Sequence, residues 1–143
     1  MTRINVVPVS ELSDEHLKGE YHEILRPIGL VRKAVDSGLN KWNFSKKYPY
    51  APDDYTLGTG HVVFFYKRLV FIQRRHQQLF EEMIKRGYNP TPIDSESLLD
   101  GIPMWALNDY VPTENALKLN RERIESNNAD KLRRVVNTSD NHV

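Results

Sequence analysis

Three long segments carry apolar residues at spacings of three and four, and this periodicity constrains the fold more than any other feature. In the first segment the apolar stripe consists of Leu17, Tyr21, Ile24, Ile28, Val31 and Val35. A helix places residues at these spacings on one face, whereas a half-buried strand needs alternation with a period of two. Because no alternating segment of any length occurs in the sequence, we predict an all-α fold.

The limits of the first helix follow from its capping residues. It should run from about Asp14 to Ser37, with Ser10 or Ser13 as the N-cap, because a hydroxyl oxygen accepts hydrogen bonds from the unpaired N–H groups of a first turn. Gly38 should end it, since glycine readily adopts the left-handed conformation found after helices. Pro27 lies inside the segment and should kink the helix or loosen one turn, because proline lacks an N–H group.

Two further helices and the loops between them complete the predicted architecture. The second helix should extend from about Val62 to Arg86 and stop at Gly87, and the third from its N-cap Thr113 to about Asn127. Long loops should connect the helices, and the residues from about 128 onward should form a frayed, polar tail. We therefore predict one compact domain over residues 1–143, built on three main helices.

Composition excludes several classes of site. The chain contains no cysteine, which rules out disulfides, a cysteine nucleophile and thiolate metal sites. The histidines show no metal-ligand spacing, so we predict no metal. With a net charge of only +1, any DNA-binding surface must arise from local arrangement. No apolar stretch approaches the roughly 18 residues of a membrane span and no apolar signal core follows Met1, so we expect a cytoplasmic protein without membrane contact.

Two features could carry catalysis, and each also has a simpler interpretation. Thr2 is small, so Met1 should be removed, which would free an α-amine with a pKa of about 7.7–8.0 that can form a Schiff base with an aldehyde. Every chain has an N-terminus, however, so this alone is not diagnostic. On the first helix Glu23 and Arg26 share the polar side, which composition alone favours as a solvated face.

Basic and aromatic residues cluster at two places that could bind nucleic acid. Lys41, Lys46 and Lys47 accompany Trp42 and nearby tyrosines, a combination suited to phosphate contact and base stacking, although a solvated surface is an equal alternative. Lysines and arginines also recur on the third helix. His61 follows Gly58-Thr59-Gly60, which could bring backbone close to a ligand but is more typical of a tight turn.

A resemblance to a known family rests on a set of ordered motifs. They are Met1–Asn5, Val9–Leu12, His16–Leu17, Glu20–Tyr21, Glu23, Arg26, Leu57–Gly58, Gly60–Val62, Phe64–Tyr66, Lys85–Asn89, Ile102–Pro103 and Asp109–Pro112. In these residues the chain resembles the phage pyrimidine-dimer DNA glycosylase family. The similarity covers about Met1 to Ile124 in one order.

The resemblance implies both an activity and its residues. It implies a monomeric three-helix domain with the N-terminal segment packed against the helices, acting without a cofactor on double-stranded DNA that contains pyrimidine dimers or abasic sites. The amine of Thr2 would be the nucleophile of a glycosylase and AP lyase, and Glu23 its catalytic carboxylate. The positions carried over as DNA-binding are Arg3, His16, His22, Arg26, Lys33 and Arg123.

One departure from the family pattern, together with the state of the N-terminus, keeps two alternatives open. The family typically has arginine where this chain has His22, a shorter side chain that is mostly neutral at pH 7. An AP-site lyase without dimer specificity is therefore one alternative. A non-catalytic DNA-binding module of the same fold is the other, and retention of Met1 would favour it.

Overall fold

All regular structure in the described part of the chain is helical, which confirms the all-α prediction. The computed structural model describes residues 2–140, and the side chains of residues 2–128. Its α-helices are α1 (Asp14–Glu23), α2 (Arg26–Asp36), α3 (Phe44–Lys47), α4 (Leu69–Lys85) and α5 (Glu114–Asp140). Short 3-10 helices occupy Val9–Glu11, Val63–Lys67, Ser97–Leu99 and Met104–Ala106.

The first predicted helix is two helices, because the chain breaks after Glu23. In a continuous helix the residue at position 27 would donate its N–H to the carbonyl of Glu23, and Pro27 has no N–H to donate. Proline is tolerated in the first turn of a helix, and Pro27 lies in the first turn of α2. Ser13 is the N-cap of α1, since its side chain accepts from the His16 N–H at 3.2 Å. The break makes Glu23 the last residue of α1.

The second predicted helix is also divided. Arg68 lies between the 3-10 helix Val63–Lys67 and α4, with an N–H that bonds to Phe65 at 2.9 Å rather than to Phe64. The guanidinium of Arg68 occupies the Phe64 carbonyl instead, at 2.7 Å. The side chain thus competes with the backbone for the acceptor that an α-helix would use. Gly87 ends α4 as predicted, with φ of +89°.

The third helix is longer than predicted. Thr113 is its N-cap, since its hydroxyl accepts from the Ala116 N–H at 3.0 Å. The prediction of a frayed tail from about residue 128 is wrong for the backbone, which stays helical to Asp140. The prediction rests on the polar composition of this stretch. Polar residues such as Lys, Arg and Glu are good helix formers, so polarity alone does not end a helix.

Residues 4–7 are buried and belong to no helix, and no strand pairs with them in the described structure. Ile4 donates its N–H to His61 Nε2 at 2.9 Å, and its carbonyl accepts from the Tyr55 hydroxyl at 2.8 Å. Buried backbone groups need partners, and here the partners are side chains. This arrangement confirms that the N-terminal segment packs against the helices.

A buried polar network supplies hydrogen-bond partners for the next backbone groups of the N-terminal segment. Asn120 Oδ1 accepts from the N–H groups of Val6 and Val7 at 2.7 and 3.1 Å. The amide nitrogen of Asn120 donates to Asn5 at 2.8 Å, and the Asn5 amide donates to Glu20 at 2.9 Å. The network therefore joins α1 and α5 through the N-terminal segment.

An ion pair completes the network. Arg75 on α4 makes two hydrogen bonds to Glu20, at 2.8 and 3.0 Å, and also donates to the carbonyl of Val7. Both side chains are almost fully buried, at 3% and 1% exposure. The two buried charges are tolerated because Glu20 and Arg75 are paired with each other.

Replacing Glu20 with glutamine should strongly destabilise the protein. Arg75 would keep its charge in the interior without a carboxylate, a loss of about 3–5 kcal/mol in the free energy of unfolding. Urea denaturation measures this loss. Glu11→Gln is the control, because Glu11 pairs with Arg121 at the surface and its loss should matter little. Equal stability of the two variants would contradict the assigned role of the network.

Acid should also destabilise the fold, in part through His76. This side chain is 1% exposed, is stacked on Tyr21 at 5.5 Å between centroids, and has no partner for either ring nitrogen within the described residues. Burial lowers the pKa of His76. The unfolded chain therefore binds the proton more readily, and stability present above the unfolded pKa of about 6.5 is lost as the pH falls through the lower folded pKa.

Thermal unfolding between pH 7.5 and pH 5 tests this expectation. His76→Phe, which retains a ring against Tyr21, should flatten the decline in Tm at low pH. His22→Gln, at an exposed position, serves as the control. An unchanged pH profile for His76→Phe would show that other groups cause the acid sensitivity.

Candidate functional site

A cleft of about 550 Å³ lies where the N-terminal segment, α2, the turn before the 3-10 helix Val63–Lys67 and α5 come together. Its lining residues are Thr2, Arg3, Arg26, Leu30, Leu57, Gly58, His61, Val62, Tyr66, Arg123 and Asn127. The lining combines arginine side chains with apolar ones. A cleft with this combination suits a ligand that joins anionic groups to flat apolar ones.

Glu23 lies beside the start of the described chain. Its carboxylate accepts the N–H of Arg3 at 2.9 Å. Consecutive Cα atoms are about 3.8 Å apart, so the main-chain nitrogen of Thr2 is only one residue from this carboxylate. Glu23 is half-buried, and its side chain is not turned into the interior. The two residues expected to carry catalysis are therefore neighbours in space.

Thr2 is held in the cleft by a side-chain contact. It is only 6% exposed, and its hydroxyl accepts from Arg26 Nη1 at 2.9 Å. Arg26 lies in the first turn of α2, immediately after the break that Pro27 requires. The interruption of the helix thus positions both Glu23 and Arg26 around residue 2.

Three arginines supply the positive charge of the cleft. Arg3, Arg26 and Arg123 all line it. Burial lowers the pKa of Arg123, as does the positive charge of Arg3. The Nε atom of Arg123 is buried and has no partner among the residues whose side chains are described. Three arginines that line one cleft favour an anionic ligand such as phosphate.

His16 lies close enough to Arg3 and Arg123 to feel their charges. Its Nδ1 is 2.7 Å from the hydroxyl of Ser13, and its ring is half-buried. Burial lowers the pKa of His16, and the charges of Arg123 and Arg3 lower it further. His16 is therefore neutral near pH 7, and it adds polarity without adding charge.

Three residues expected to bind DNA lie outside the cleft lining: His16, His22 and Lys33. His22 is exposed, and its ring contacts the edge of Tyr21 at 6.2 Å between centroids. Lys33 is exposed on α2. The structure thus brings Thr2, Arg3, Glu23, Arg26 and Arg123 together, but it does not bring His16, His22 or Lys33 into the cleft lining.

His61 was interpreted from the sequence as part of a tight turn, and it also supports the site. Its Nε2 accepts from Ile4, so Nδ1 carries the proton and donates to the Thr56 carbonyl at 2.7 Å. Burial lowers the pKa of His61, which keeps this neutral form. The sequence signal for this turn is the pair of glycines that precede His61. Gly58 and Gly60 have φ of +72° and +90°.

The apolar part of the lining does not follow from the sequence. Tyr66 belongs to a run of aromatic residues that is typical of a core, and nothing in its spacing marks it as lining a cleft. Leu30 and Leu57 also line the cleft.

Neither a metal centre nor a membrane span is found among the described residues. Among the described residues, no three His, Asp or Glu side chains are grouped so that they could hold a metal ion. No helix in the same part of the chain is long and apolar enough to cross a membrane.

Comparison with known families identifies the chain. A family model described as pyrimidine dimer DNA glycosylase matches residues 1–96 of the 143. The matched region contains Thr2, Glu23 and Arg26, whereas Arg123 lies beyond it. A family of this description acts on DNA, which accords with the three arginines that line the cleft. The chain belongs to the pyrimidine dimer DNA glycosylase family.

Proposed function

We propose that this chain is a DNA glycosylase and AP lyase for cyclobutane pyrimidine dimers in duplex DNA, with the α-amine of Thr2 as its nucleophile. The mature chain would begin at Thr2 after removal of Met1. The observation that supports this most strongly is the 2.9 Å contact between Glu23 and the Arg3 N–H, one residue from that amine. We further propose that residues 1–143 form one domain that acts as a monomer in the cytoplasm.

The glycosylase step would be a displacement at the sugar. The neutral amine attacks C1′ of the 5′ nucleotide of the dimer, and the bond from C1′ to the base breaks with its electron pair on the base. An α-amine is partly unprotonated near pH 7, unlike a lysine side chain, and is therefore already nucleophilic. Opening of the sugar ring then leaves an imine that joins Thr2 to the DNA. The Glu23 carboxylate stabilises the cationic sugar as it develops.

The lyase step would break the strand. The imine acidifies C2′, a base removes one proton there, and the C3′–O bond breaks so that the phosphate leaves. Hydrolysis of the imine by water returns the free amine. Glu23 would move these protons, because its carboxylate is hydrogen-bonded to the N–H of Arg3, the residue next to Thr2.

The arginines would bind the DNA backbone around the lesion. Arg3, Arg26 and Arg123 line the cleft. Arg123 is partly buried, and a partly buried cation attracts phosphate more strongly than a cation in open water. A dimer weakens local stacking and pairing, so duplex distortion costs less at the lesion. His16, His22 and Lys33 would add contacts from α1 and α2.

One difference from the family favours a narrower function. His22 is exposed, does not line the cleft and stands where the family typically has arginine. An AP lyase without dimer specificity would need only the amine, Glu23 and the cleft arginines. Cutting rates on dimer and abasic duplexes of one sequence separate the two functions. Equal cutting supports the glycosylase, whereas cutting of abasic DNA alone supports the narrower enzyme.

Borohydride trapping tests the covalent step. The wild-type protein should form a stable adduct with an abasic duplex, because borohydride reduces the imine. Glu23→Gln should lower strand cutting by roughly 10²- to 10⁴-fold, the usual contribution of an acid–base group. Glu11→Gln removes a carboxylate at an exposed position and should leave cutting unchanged. Normal cutting by Glu23→Gln would eliminate Glu23 as the catalytic carboxylate.

Blocking the terminal amine tests the nucleophile. Mass spectrometry should find a chain that begins at Thr2, with the adduct on the first tryptic peptide. A form that retains Met1 should bind duplex DNA but neither form the adduct nor cut, because its amine is displaced by one residue. An adduct formed equally well by that form would assign the nucleophile to another group, and DNA binding without cutting by every form would support the non-catalytic module.

A further inference from the structure

A second basic surface lies outside the cleft, on α3 and the loop that leads into it. It consists of Lys41, Trp42, Lys46 and Lys47, which we call the Trp42 surface. Trp42 is 81% exposed. A large aromatic side chain left so exposed contributes little to folding, and such residues often mark binding sites. The mechanism proposed for the cleft uses none of these four residues.

The exposure of Trp42 results from an ordered backbone. Asn40 Oδ1 accepts from the N–H groups of Trp42 and Asn43 at 2.8 and 3.1 Å, and Asn43 Oδ1 accepts from the Asn40 N–H at 2.8 Å. Asn43 also donates to the Gly38 carbonyl at 3.0 Å. These reciprocal bonds fix the chain on both sides of Trp42. The next residue, Phe44, is only 3% exposed and anchors α3 in the core.

The charge of the surface favours an anionic partner. Lys41, Lys46 and Lys47 are exposed, and none of them forms a salt bridge with any described carboxylate. The Lys41 ammonium lies 4.5 Å from the centroid of the Trp42 ring. Cations beside an exposed aromatic ring are the combination that binds phosphates together with bases or sugars.

The Trp42 surface is connected to the cleft through aromatic packing inside the protein. The ring of Phe44 on α3 lies 5.1 Å from that of Tyr48, and the ring of Tyr48 lies 5.3 Å from that of Tyr66, between centroids. Phe44 and Tyr66 are buried, and Tyr66 also lines the cleft. This packing holds α3, with the lysines it carries, in a fixed position relative to the cleft.

We propose that the Trp42 surface is a second DNA-binding site, which holds undamaged duplex beside the lesion. Its lysines contact phosphates, and Trp42 packs against a base or deoxyribose. The inference rests on the proposed function in taking DNA as the substrate. It adds a contact that supports affinity for undamaged DNA and leaves the chemical step unchanged.

Tryptophan fluorescence offers a direct test, because the chain contains only Trp42 and Trp105. In Trp105→Phe the remaining signal comes from Trp42. Titration with an undamaged duplex of 20 base pairs should quench this signal and protect it from iodide. If Trp105→Phe unfolds, the same titration of wild type and Trp42→Phe gives the contribution of Trp42 by difference. No quenching of Trp42 at saturation, with binding confirmed by anisotropy, would overturn the proposal.

A matched pair of variants tests the lysines. Lys46→Gln/Lys47→Gln should weaken binding to the same duplex and should make the slope of log affinity against log salt shallower by roughly two, about 0.9 for each lost phosphate contact. Lys18→Gln/Lys85→Gln changes the net charge equally at other exposed positions and should alter neither quantity as much. Equal effects of the two pairs would show that Lys46 and Lys47 act only through the net charge of the protein. That result would contradict the proposed site.

The chemical step separates this inference from the proposed function. Trp42→Ala should weaken duplex binding about fivefold or more, the usual effect of losing one stacking contact. Single-turnover cutting of an abasic duplex at saturating protein should be unchanged. Failure of borohydride trapping with a normal Trp42 effect would defeat only the mechanism. Trp42-dependent self-association without any effect on DNA binding would instead assign the surface to protein contact.

Discussion

The buried pair of Glu20 and Arg75 is the interaction on which the site depends. It satisfies the carbonyl of Val7 and, through Asn5, it is joined to Asn120, which holds the next N–H groups. An extended segment inside a helical protein has no neighbouring strand, so its backbone groups would otherwise be buried without partners, at a cost of about 1–3 kcal/mol each. The network replaces the missing strand. Because Glu20 and Arg75 lie on α1 and α4, packing of these helices fixes the N-terminal segment at the same time.

The break between α1 and α2 turns this anchored segment into a site. A continuous helix would carry Glu23 and Arg26 on one regular face, three residues apart. The interruption before Pro27 lets the carboxylate of Glu23 take the Arg3 N–H while Arg26 reaches the Thr2 hydroxyl. One local sequence feature therefore positions two groups around residue 2, and the fold needs no additional element there.

The sequence predicted elements well where the physical cause is local. The caps at Ser13 and Thr113 and the stops at Gly38 and Gly87 each depend on a few neighbouring residues, and all four are observed. The proximity of Thr2 and Glu23 followed only from family resemblance, because it requires contacts across many residues. The hydrogen bond from Ile4 to His61 joins positions 57 apart, and no spacing rule reveals it. Arg68 illustrates a different limit, since its side chain overrides the helical pattern by occupying one backbone acceptor.

The distribution of contacts along the N-terminal segment bears on how an amine could act there. From Ile4 inward, the backbone is bonded to buried side chains, whereas Thr2 and Arg3 contact groups at the cleft. A nucleophile on a free chain end would lose much conformational entropy on reaching its target. Anchoring from Ile4 removes most of that loss before DNA binds, and positioning of this kind can contribute several kcal/mol to a reaction barrier. The neutral His61 matters for the same reason, because its protonation would remove the acceptor for the Ile4 N–H and release the segment that carries residue 2.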